Sequence, residues 1–370
     1  MSDRTTNAGS RRNFILQAAA LTAAPLFTNL NPLRAQPAGK KIGFALCGLG
    51  SLSTNQIAPA LLKSANCRLA GIVTGTPAKA KQWQAKYDIP DRSVYSYDTM
   101  HKLADNPDID VVYVVTPNAL HAEHTIKAAK AGKHVFCEKP MEISVERCQQ
   151  MIDACKTAGK MLGIAYRCRF EPHHQECIRI ARAREFGDLK LVEAEFGFPI
   201  GDPKQWRLRR ALAGGGALMD VGIYALQASR YITGEEPVLV SAMQTRTDPV
   251  KFSEVDESIT WQMKFPSGAL ANCSTSFNAA GLNRVRADAQ RGWFEIAPAF
   301  NYDGITARRS DGKSLTFPAV DMFAAEMDDF ASCILERKPT RVPGEEGLRD
   351  LRILTAIYES AKTGRAIELS

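Results

Sequence analysis

The chain has 370 residues, of which 45% are hydrophobic and 24% charged, so it can bury a sizeable core without disulfides or metals. Its formal net charge is +7; residues 1–35 carry four Arg and one Asp and account for +3, which leaves +4. Because this excess is mild and no dense Lys/Arg run with interleaved aromatic residues occurs, the sequence gives nucleic-acid binding no support.

The N-terminus has the pattern of an export signal. Arg11 and Arg12 precede an apolar stretch that ends at Phe27, and Leu33-Arg34-Ala35 offers a cleavage site. This pattern predicts a twin-arginine signal over residues 1–35, delivery of the folded protein to the periplasm, and no membrane segment in the mature form. The alternatives are an uncleaved anchor and a chance pair of arginines. Export in the folded state favours a tightly held cofactor.

Residues 36–41 are expected to be a linker, and residues 42–166 then alternate strands with helices. Strands are predicted at 42–47, 68–74, around Tyr95, and at 111–115, 134–137 and 161–166, and helices at 54–64, 78–87, 122–131 and 145–158. Short apolar runs alternating with helical segments predict a doubly wound parallel sheet, here a dinucleotide-binding α/β domain over 42–166.

The pattern changes after about residue 170. Alternating stretches predict strands at 189–196, 238–246, 258–265, 269–277 and 293–297, with helices at 172–185, 217–231, 321–337 and 345–363. Period-2 alternation is typical of an antiparallel sheet with one covered face. We therefore predict a second, α+β domain over 167–370 that carries catalysis and dimerisation.

A glycine loop follows the first strand and opens a helix. Gly48-Leu49-Gly50-Ser51 has two of the three glycines of a GxGxxG fingerprint, and Ser53 stands where the third would be. Glycines there permit close approach of the backbone to a pyrophosphate, which the helix N-terminus attracts. The motif alone is also compatible with an ordinary strand–helix turn, but its context favours a dinucleotide site.

The end of the second strand indicates which dinucleotide is bound. An NAD enzyme usually has an acidic residue there, whereas this chain has Thr74-Gly75-Thr76 with Lys79 and Lys81 just beyond. A hydroxyl and cations suit a 2′-phosphate, which a carboxylate would repel. We therefore predict NADP, although the two lysines are equally compatible with solvated helix charges.

Three residues have the chemistry for proton transfer. Lys139 ends one parallel strand, and residues 116–121, which include Thr116 and Pro117, follow the strand before it, so both should line one crevice. Asp220 and Tyr224 lie four apart, on one face of a predicted helix. A nearby Lys ammonium is expected to lower the pKa of Tyr224 and make it a usable base. Separately, each residue could be structural: a strand-end lysine, a helix cap and a core tyrosine.

Cysteine and histidine patterns point away from disulfides and metals. The nine cysteines are odd in number and include no CxxC pair, and the six histidines form no HxH or HExxH pattern. We expect buried thiols and no metal ion.

Several blocks together resemble a known family. They are GLG at 48–50, TPNALHAE at 116–123, AGKHVFCEKPM at 131–141, AYRCRFEP at 165–172, QWRLRRALAGGGALMDVGIYALQASRY at 205–231 and PGEEGLRDLRILTAIYESAKTGR at 343–365. The chain resembles, over nearly its whole length, the glucose–fructose oxidoreductase branch of the oxidoreductase family that also contains inositol dehydrogenases. The similarity implies a Rossmann domain followed by an open-faced, largely antiparallel sheet domain.

The resemblance also implies an activity. One aldose would be oxidised at C1 to its lactone and a second sugar, aldose or ketose, reduced to an alditol through one tightly bound, non-dissociating NADP. Lys139 and Asp220 would bind and polarise the reacting hydroxyl, Tyr224 would act as general acid/base, and Thr74 and Lys79 would meet the 2′-phosphate. The cofactor or its nicotinamide end would be lined by Tyr97, Asn118, His121, Glu138, Arg167, Trp206, Arg207 and Tyr302.

Departures from the family pattern and rival functions leave alternatives open. Ser51 replaces a lysine of the glucose–fructose enzyme, and a short N-terminal arm favours a homodimer through the C-terminal sheet over a tetramer. Segment 197–204 is shorter than its counterpart, so the acceptor is open between fructose and an aldose. The rivals are a sugar dehydrogenase with exchangeable NADP, an NAD-dependent glycosidase of the same fold, and a non-catalytic binding module.

Overall fold

The computed structural model describes residues 41–369, which belong to one compact unit. The predicted signal over 1–35 and nearly all of the predicted linker lie outside the described residues. Within residues 41–369, no helix combines the length and apolarity needed to cross a membrane. In the same range, no group of three or more His, Cys, Asp or Glu side chains is placed to hold a metal ion. All nine cysteines are free thiols, and eight of them are buried.

The first half of the described chain forms a parallel sheet of six strands with helices between them. The strands are β1 (Ile42–Cys47), β2 (Cys67–Val73), β3 (Val94–Tyr95), β4 (Val111–Val114), β5 (His134–Glu138) and β6 (Leu162–Ala165), and the helices are α1 (Ala58–Lys63), α2 (Pro77–Tyr87), α3 (His121–Lys130) and α4 (Val145–Thr157). The sheet order is β3-β2-β1-β4-β5-β6 with every pair parallel. This is the order of a doubly wound dinucleotide-binding sheet, so the predicted fold of this half is confirmed.

The second half forms a mixed sheet of eight strands covered on one face by helices. The strands are β7 (Leu189–Gly197), β8 (Leu239–Thr245), β9 (Ser258–Lys264), β10 (Leu270–Ser276), β11 (Asn283–Ala289), β12 (Gly292–Ile296), β13 (Ala307–Arg309) and β14 (Ile367–Glu368), in the order β13-β12-β11-β7-β10-β9-β8-β14. The helices are α5 (Pro172–Arg182), α6 (Arg210–Ala213), α7 (Ile223–Thr233), α8 (Met322–Glu336) and α9 (Gly344–Thr363).

One face of this sheet is buried and the other is open, as the alternation predicted. Along β9, Ile259, Trp261 and Met263 are buried while Thr260 and Gln262 are exposed. Helix α7 packs on β7 and β10, and α9 packs on both β6 and β8, so α9 joins the two sheets. The sheet differs from the expectation in two ways: β7 and β10 pair in parallel, and the strands β11, β13 and β14 were not predicted. Alternation identifies a covered face but does not specify the direction of the neighbouring strand.

Candidate active site

A cleft of about 980 Å³ opens at the carboxyl ends of the parallel strands and is closed on its far side by the second sheet. Ligands of doubly wound sheets bind at this edge. The structure brings most of the predicted site residues to its walls, namely Gly50, Ser51, Thr116, Asn118, His121, Glu138, Lys139, Arg167, Trp206, Arg207, Asp220, Tyr224 and Tyr302. Segments that are far apart in the chain therefore meet in one cleft.

Lys139, Asp220 and Tyr224 meet at the centre of this cleft. Lys139 follows β5, and its Nζ donates to the Asp220 carbonyl oxygen at 2.7 Å and lies 3.5 Å from Asp220 Oδ1. The same ammonium lies 4.7 Å from the centre of the Tyr224 ring. Asp220 lies in a single wide π-turn, Leu218–Gly222, which precedes α7, and Tyr224 is the second residue of α7. The predicted single helix is thus a π-turn followed by an α-helix.

Asp220 is held as a carboxylate by two cations. Arg207 Nε donates to Asp220 Oδ2 at 2.9 Å, opposite Lys139. Burial raises the pKa of the Asp220 carboxyl, but the charges and hydrogen bonds of Arg207 and Lys139 outweigh burial and bring its pKa below the usual value. The Arg207 guanidinium itself lies 4.6 Å from the centre of the Trp206 ring, which keeps it over the cleft.

The environment of Tyr224 corrects one expectation. Lys139 faces the ring of Tyr224, and the cation at its hydroxyl is Arg167, whose Nε donates to the phenolic oxygen at 3.1 Å. Burial is the largest influence and raises the pKa of Tyr224 above its usual value, while Arg167 offsets only part of it. The expected lowering of this pKa was wrong, and Tyr224 is a neutral phenol at neutral pH, suited to donate a proton.

Arg167 is anchored independently of Tyr224. Its Nη2 donates to the Phe300 carbonyl at 2.6 Å and its Nη1 to the Asn301 carbonyl at 3.0 Å. The guanidinium also stacks on Tyr302, 4.8 Å from the centre of a ring that is half exposed. Arg167 therefore holds Tyr224 and Tyr302 against the same wall of the cleft.

The glycine loop has the shape that a dinucleotide needs. Gly48 has a φ of +99°, and a Cβ there would lie 2.8 Å from the Val115 carbonyl, whereas a Cβ on Gly50 would meet nothing within 4 Å. Ser53, in the third-glycine position, is fully buried, and its Oγ donates to the Gly48 carbonyl at 2.5 Å. The free space beside Gly50 at the start of a helix fits a pyrophosphate.

The residues predicted for the 2′-phosphate lie beside this loop, outside the walls of the main cleft. Lys79 Nζ donates to the Leu49 carbonyl at 3.2 Å, so α2 is tied to the glycine loop. Thr74 follows β2, and Tyr97 stacks on His124 with the ring centres 4.6 Å apart. The Tyr97 ring also approaches Gly75 closely. No carboxylate ends β2, and this corner fits the phosphate of NADP.

Three other predicted residues bind the protein itself. His121 is fully buried, with Nε2 2.7 Å from the Thr116 carbonyl and Nδ1 3.0 Å from the Pro140 carbonyl. Asn118 Nδ2 donates to the Ala213 carbonyl at 2.9 Å. Glu138 Oε1 accepts from a buried tyrosine at 2.7 Å. These contacts fix the segments that carry Lys139 and Pro117 along the cleft.

An aromatic wall was missed by the sequence analysis. Phe196, Phe198 and Phe300 line the cleft, and Phe196 meets the Tyr224 ring edge-on at 5.4 Å between centres. The Phe-Gly-Phe sequence at the end of β7 was the available signal, because it places two aromatic rings beside a small residue at the end of a strand. Apolar rings beside polar groups are typical of a small-molecule pocket.

The comparisons with known proteins agree with this geometry. The sequence matches three domain families: Oxidoreductase family, NAD-binding Rossmann fold, over residues 42–166; GFO/IDH/MocA C-terminal domain over 174–295; and Oxidoreductase family, C-terminal alpha/beta domain, over 307–369. Together they span most of the described residues.

Individual relatives cover nearly the whole chain. D-xylose 1-dehydrogenase (NADP(+)) of Haloarcula marismortui is 31% identical over 89% of this chain and 93% of its own length, and D-xylose 1-dehydrogenase (NADP(+)) 2 of Haloferax volcanii is 32% identical over 88% and 99%. A solved structure of aldose-aldose oxidoreductase from Caulobacter crescentus, complexed with glycerol, has a TM-score of 0.86 and 47% identity over 89% of this chain and all of that one. The chain belongs to the GFO/IDH/MocA family of oxidoreductases, which has a nucleotide-binding Rossmann fold.

Proposed function

We propose that this protein oxidises an aldose at C1 to its lactone and reduces a second sugar to an alditol through one tightly bound NADP. The observation that carries the proposal is the cluster of Lys139, Asp220 and Tyr224 in the cleft at the dinucleotide edge of the sheet. The 47% identity to an aldose-aldose oxidoreductase supports the sugar substrates, and the NADP-dependent relatives support the cofactor.

Lys139, Asp220 and Tyr224 have separate roles in the proposed hydride transfer. Lys139 donates to the reacting oxygen, and the charge of Asp220, shared with Arg207, holds Lys139 in place. In the reducing half-reaction the carbonyl carbon of the acceptor gains a hydride and its oxygen gains the proton of Tyr224. In the oxidising half-reaction the donor loses a hydride from C1 and its hydroxyl proton returns to Tyr224. NADP, when bound, supplies the hydride acceptor and donor.

The neutral state of Tyr224 favours the two half-reactions in alternation. After donating its proton, Tyr224 would be a phenolate beside Arg167, whose charge stabilises it. The high pKa of Tyr224 makes that phenolate a strong base for the next donor hydroxyl. Tyr224 thus gives its proton to the acceptor sugar in the reducing half-reaction and takes a proton back from the donor sugar in the oxidising half-reaction.

The test uses the purified protein with no added cofactor. Excess glucose is mixed in while the near-ultraviolet absorbance of reduced nicotinamide is followed. A rise equal to one cofactor per chain, reversed by a second sugar, supports the proposal, and trying fructose and then aldoses names the acceptor. Turnover that needs free NADP would instead indicate a dehydrogenase with exchangeable cofactor. No reaction in either case, with a disaccharide cleaved, would indicate the glycosidase.

The open face of the second sheet supports the proposed homodimer, with a tetramer as the alternative. Met243 on β8 and Leu270 on β10 are 78% and 47% exposed there, and exposed apolar side chains on an open sheet face are typical of a surface that a second subunit covers. Met243→Glu should yield monomers in light-scattering measurements, whereas the control Val250→Glu, in an exposed loop, should not. An unchanged mass for Met243→Glu would place the interface elsewhere.

The twin-arginine pattern supports periplasmic delivery of the folded protein. Changing Arg11 and Arg12 together to Lys should leave the full-length protein in the cytoplasm with its cofactor bound. Export of that double variant at the normal level would refute the proposed route.

A further inference from the structure

A buried chain of three oxygen-bearing side chains lies behind the cleft wall. The Tyr113 hydroxyl, on β4, lies 2.7 Å from Glu138 Oε1 on β5 and 3.2 Å from Glu326 Oε1 on α8. Tyr113 and Glu326 are completely buried, and Glu138 is 8% exposed where it reaches the cleft. Nothing in the proposed reaction uses Glu326, and burying an ionised carboxyl group is costly unless the group is paired with a positive charge or takes up a proton.

The number of protons available to Tyr113, Glu138 and Glu326 determines how many of the two carboxyl groups can be ionised. A tyrosine hydroxyl has one hydrogen and can donate it to one carboxylate. If both glutamates were ionised, the second would face an oxygen lone pair, and two negative charges would be buried together. One of the two carboxyl groups must therefore carry a proton.

The surroundings show which group carries the proton. Burial raises the pKa of Glu138, but the positive charges of Lys139 and Arg167 oppose this and favour its ionised form, whereas for Glu326 the nearest charge, that of Glu138, acts with burial. Oε2 of Glu326 is buried and has no hydrogen-bond partner among residues 41–369. An ionised Glu326 would leave charge on that bare oxygen.

The groups that face Glu326 act on its pKa in opposing directions, and those that favour its neutral form outweigh the others. Burial and the charge of Glu138 raise the pKa of Glu326 well above its usual value, and the charge of Asp321, the N-cap residue of α8, adds to this. The hydrogen bond from Tyr113 and the charge of Arg167 oppose it more weakly. The direction of donation is then from Glu326 to Tyr113 and from Tyr113 to Glu138.

We propose that Glu326 is a positioning residue that stays a neutral carboxylic acid, donates to Tyr113, and through it fixes Glu138 as the one anion among these three buried side chains. Its effect on turnover rests on the proposed function, but its protonation state does not. Loss of the Glu326 proton would add a second anion behind the cleft wall and remove the donor that orients Tyr113.

The first test is infrared spectroscopy of the purified protein with its bound cofactor at neutral pH. The C=O stretch of a neutral carboxylic acid is separate from that of a carboxylate. Subtracting the spectrum of Glu326→Gln should reveal one neutral-acid band. The matched control Glu336→Gln, an exposed residue at the end of α8 that pairs with Lys338, should reveal only a carboxylate band. A carboxylate band for Glu326 as well would overturn the proposal, whether or not any sugar reacts.

The second test separates positioning from packing. At alkaline pH the loss of the Glu326 proton should lower kcat. Gln donates to Tyr113 as a neutral acid does and has no such proton to lose, so Glu326→Gln should keep kcat within about twofold and lack this alkaline fall. Glu326→Leu removes the donor, and kcat should fall about tenfold with little change in KM. A tenfold fall corresponds to the free energy of about one hydrogen bond. If Gln lowers kcat as much as Leu does, or leaves the pH profile unchanged, the proposal is wrong.

Discussion

Removing the hydroxyl of Tyr224 is the sharpest test of the site. In Tyr224→Phe the ring still contacts Lys139, Phe196 and Phe300, so the shape of the cleft should persist. The proton donor is lost, and losing a general acid lowers turnover by about 10² to 10⁴, or about 3–5 kcal/mol in the barrier. We expect cofactor content to be unchanged and the rate of sugar reduction to fall by this factor.

The cost to stability should be much smaller than the cost to catalysis. Arg167 loses one acceptor but keeps the Phe300 and Asn301 carbonyls, and water in the open cleft can replace the phenol. We expect the free energy of unfolding to fall by about 1 kcal/mol, which lowers the melting temperature by about 2 °C for a chain of this size.

The assay compares single-turnover reduction of a sugar with thermal unfolding of the same preparation. The matched control is Tyr231→Phe on the same helix, because the Tyr231 hydroxyl is buried with no partner among the described residues. That variant should turn over normally. Normal turnover of Tyr224→Phe would refute the assignment of Tyr224, and an equal loss in both variants would show that the effect is structural.

Three further predictions concern the cofactor site and pH. Lys79→Ala should raise the Kd with which protein stripped of its cofactor rebinds NADP about tenfold while leaving the Kd for NAD unchanged, since an exposed cation near a phosphate contributes about 1.4 kcal/mol; Lys81→Ala, two residues along the same helix, is the control, and equal effects would contradict the assignment. Gly50→Ala should keep the melting temperature of the cofactor-free protein and lose cofactor affinity, whereas Gly48→Ala should lose stability, because only a Cβ on Gly48 meets the backbone. A stable Gly48→Ala would disprove these separate roles of the two glycines. Burial lowers the pKa of His121 to about 4, so the folded state binds a proton on this imidazole more weakly than the unfolded state does. Stability that is present above pH 6.5 is therefore lost as the pH falls towards 4, by about 3 kcal/mol. Urea titrations should find that loss reduced in His121→Gln, and an identical pH dependence would exclude His121 as its source.

Much of the site could be predicted because its residues follow local signals. The glycine loop after β1, the end of β2 and the lysine after β5 are each recognised from a few neighbouring residues, since parallel strands bring their carboxyl ends to one edge. Asp220 and Tyr224 were placed together by helical spacing, and the π-turn between them did not separate them.

The charge state of Tyr224 could not be predicted in this way. Lys139 was identified correctly as its neighbour, but only the folded chain shows that the ammonium faces the ring and that Arg167, 57 residues earlier, holds the hydroxyl. A pKa depends on distances of a few ångströms and on burial, and neither follows from sequence spacing.

The sequence by itself determined the parallel sheet, the covered face of the second sheet, the glycine loop and the family resemblance, because periodicity and short motifs are local properties. Tertiary structure alone decided the parallel pairing of β7 with β10 and the meeting of Tyr113 with Glu326, which lie 213 residues apart. Such contacts depend on how whole helices and strands pack, because the packing sets the burial and the charge environment of many residues together. A short segment of sequence does not contain that information.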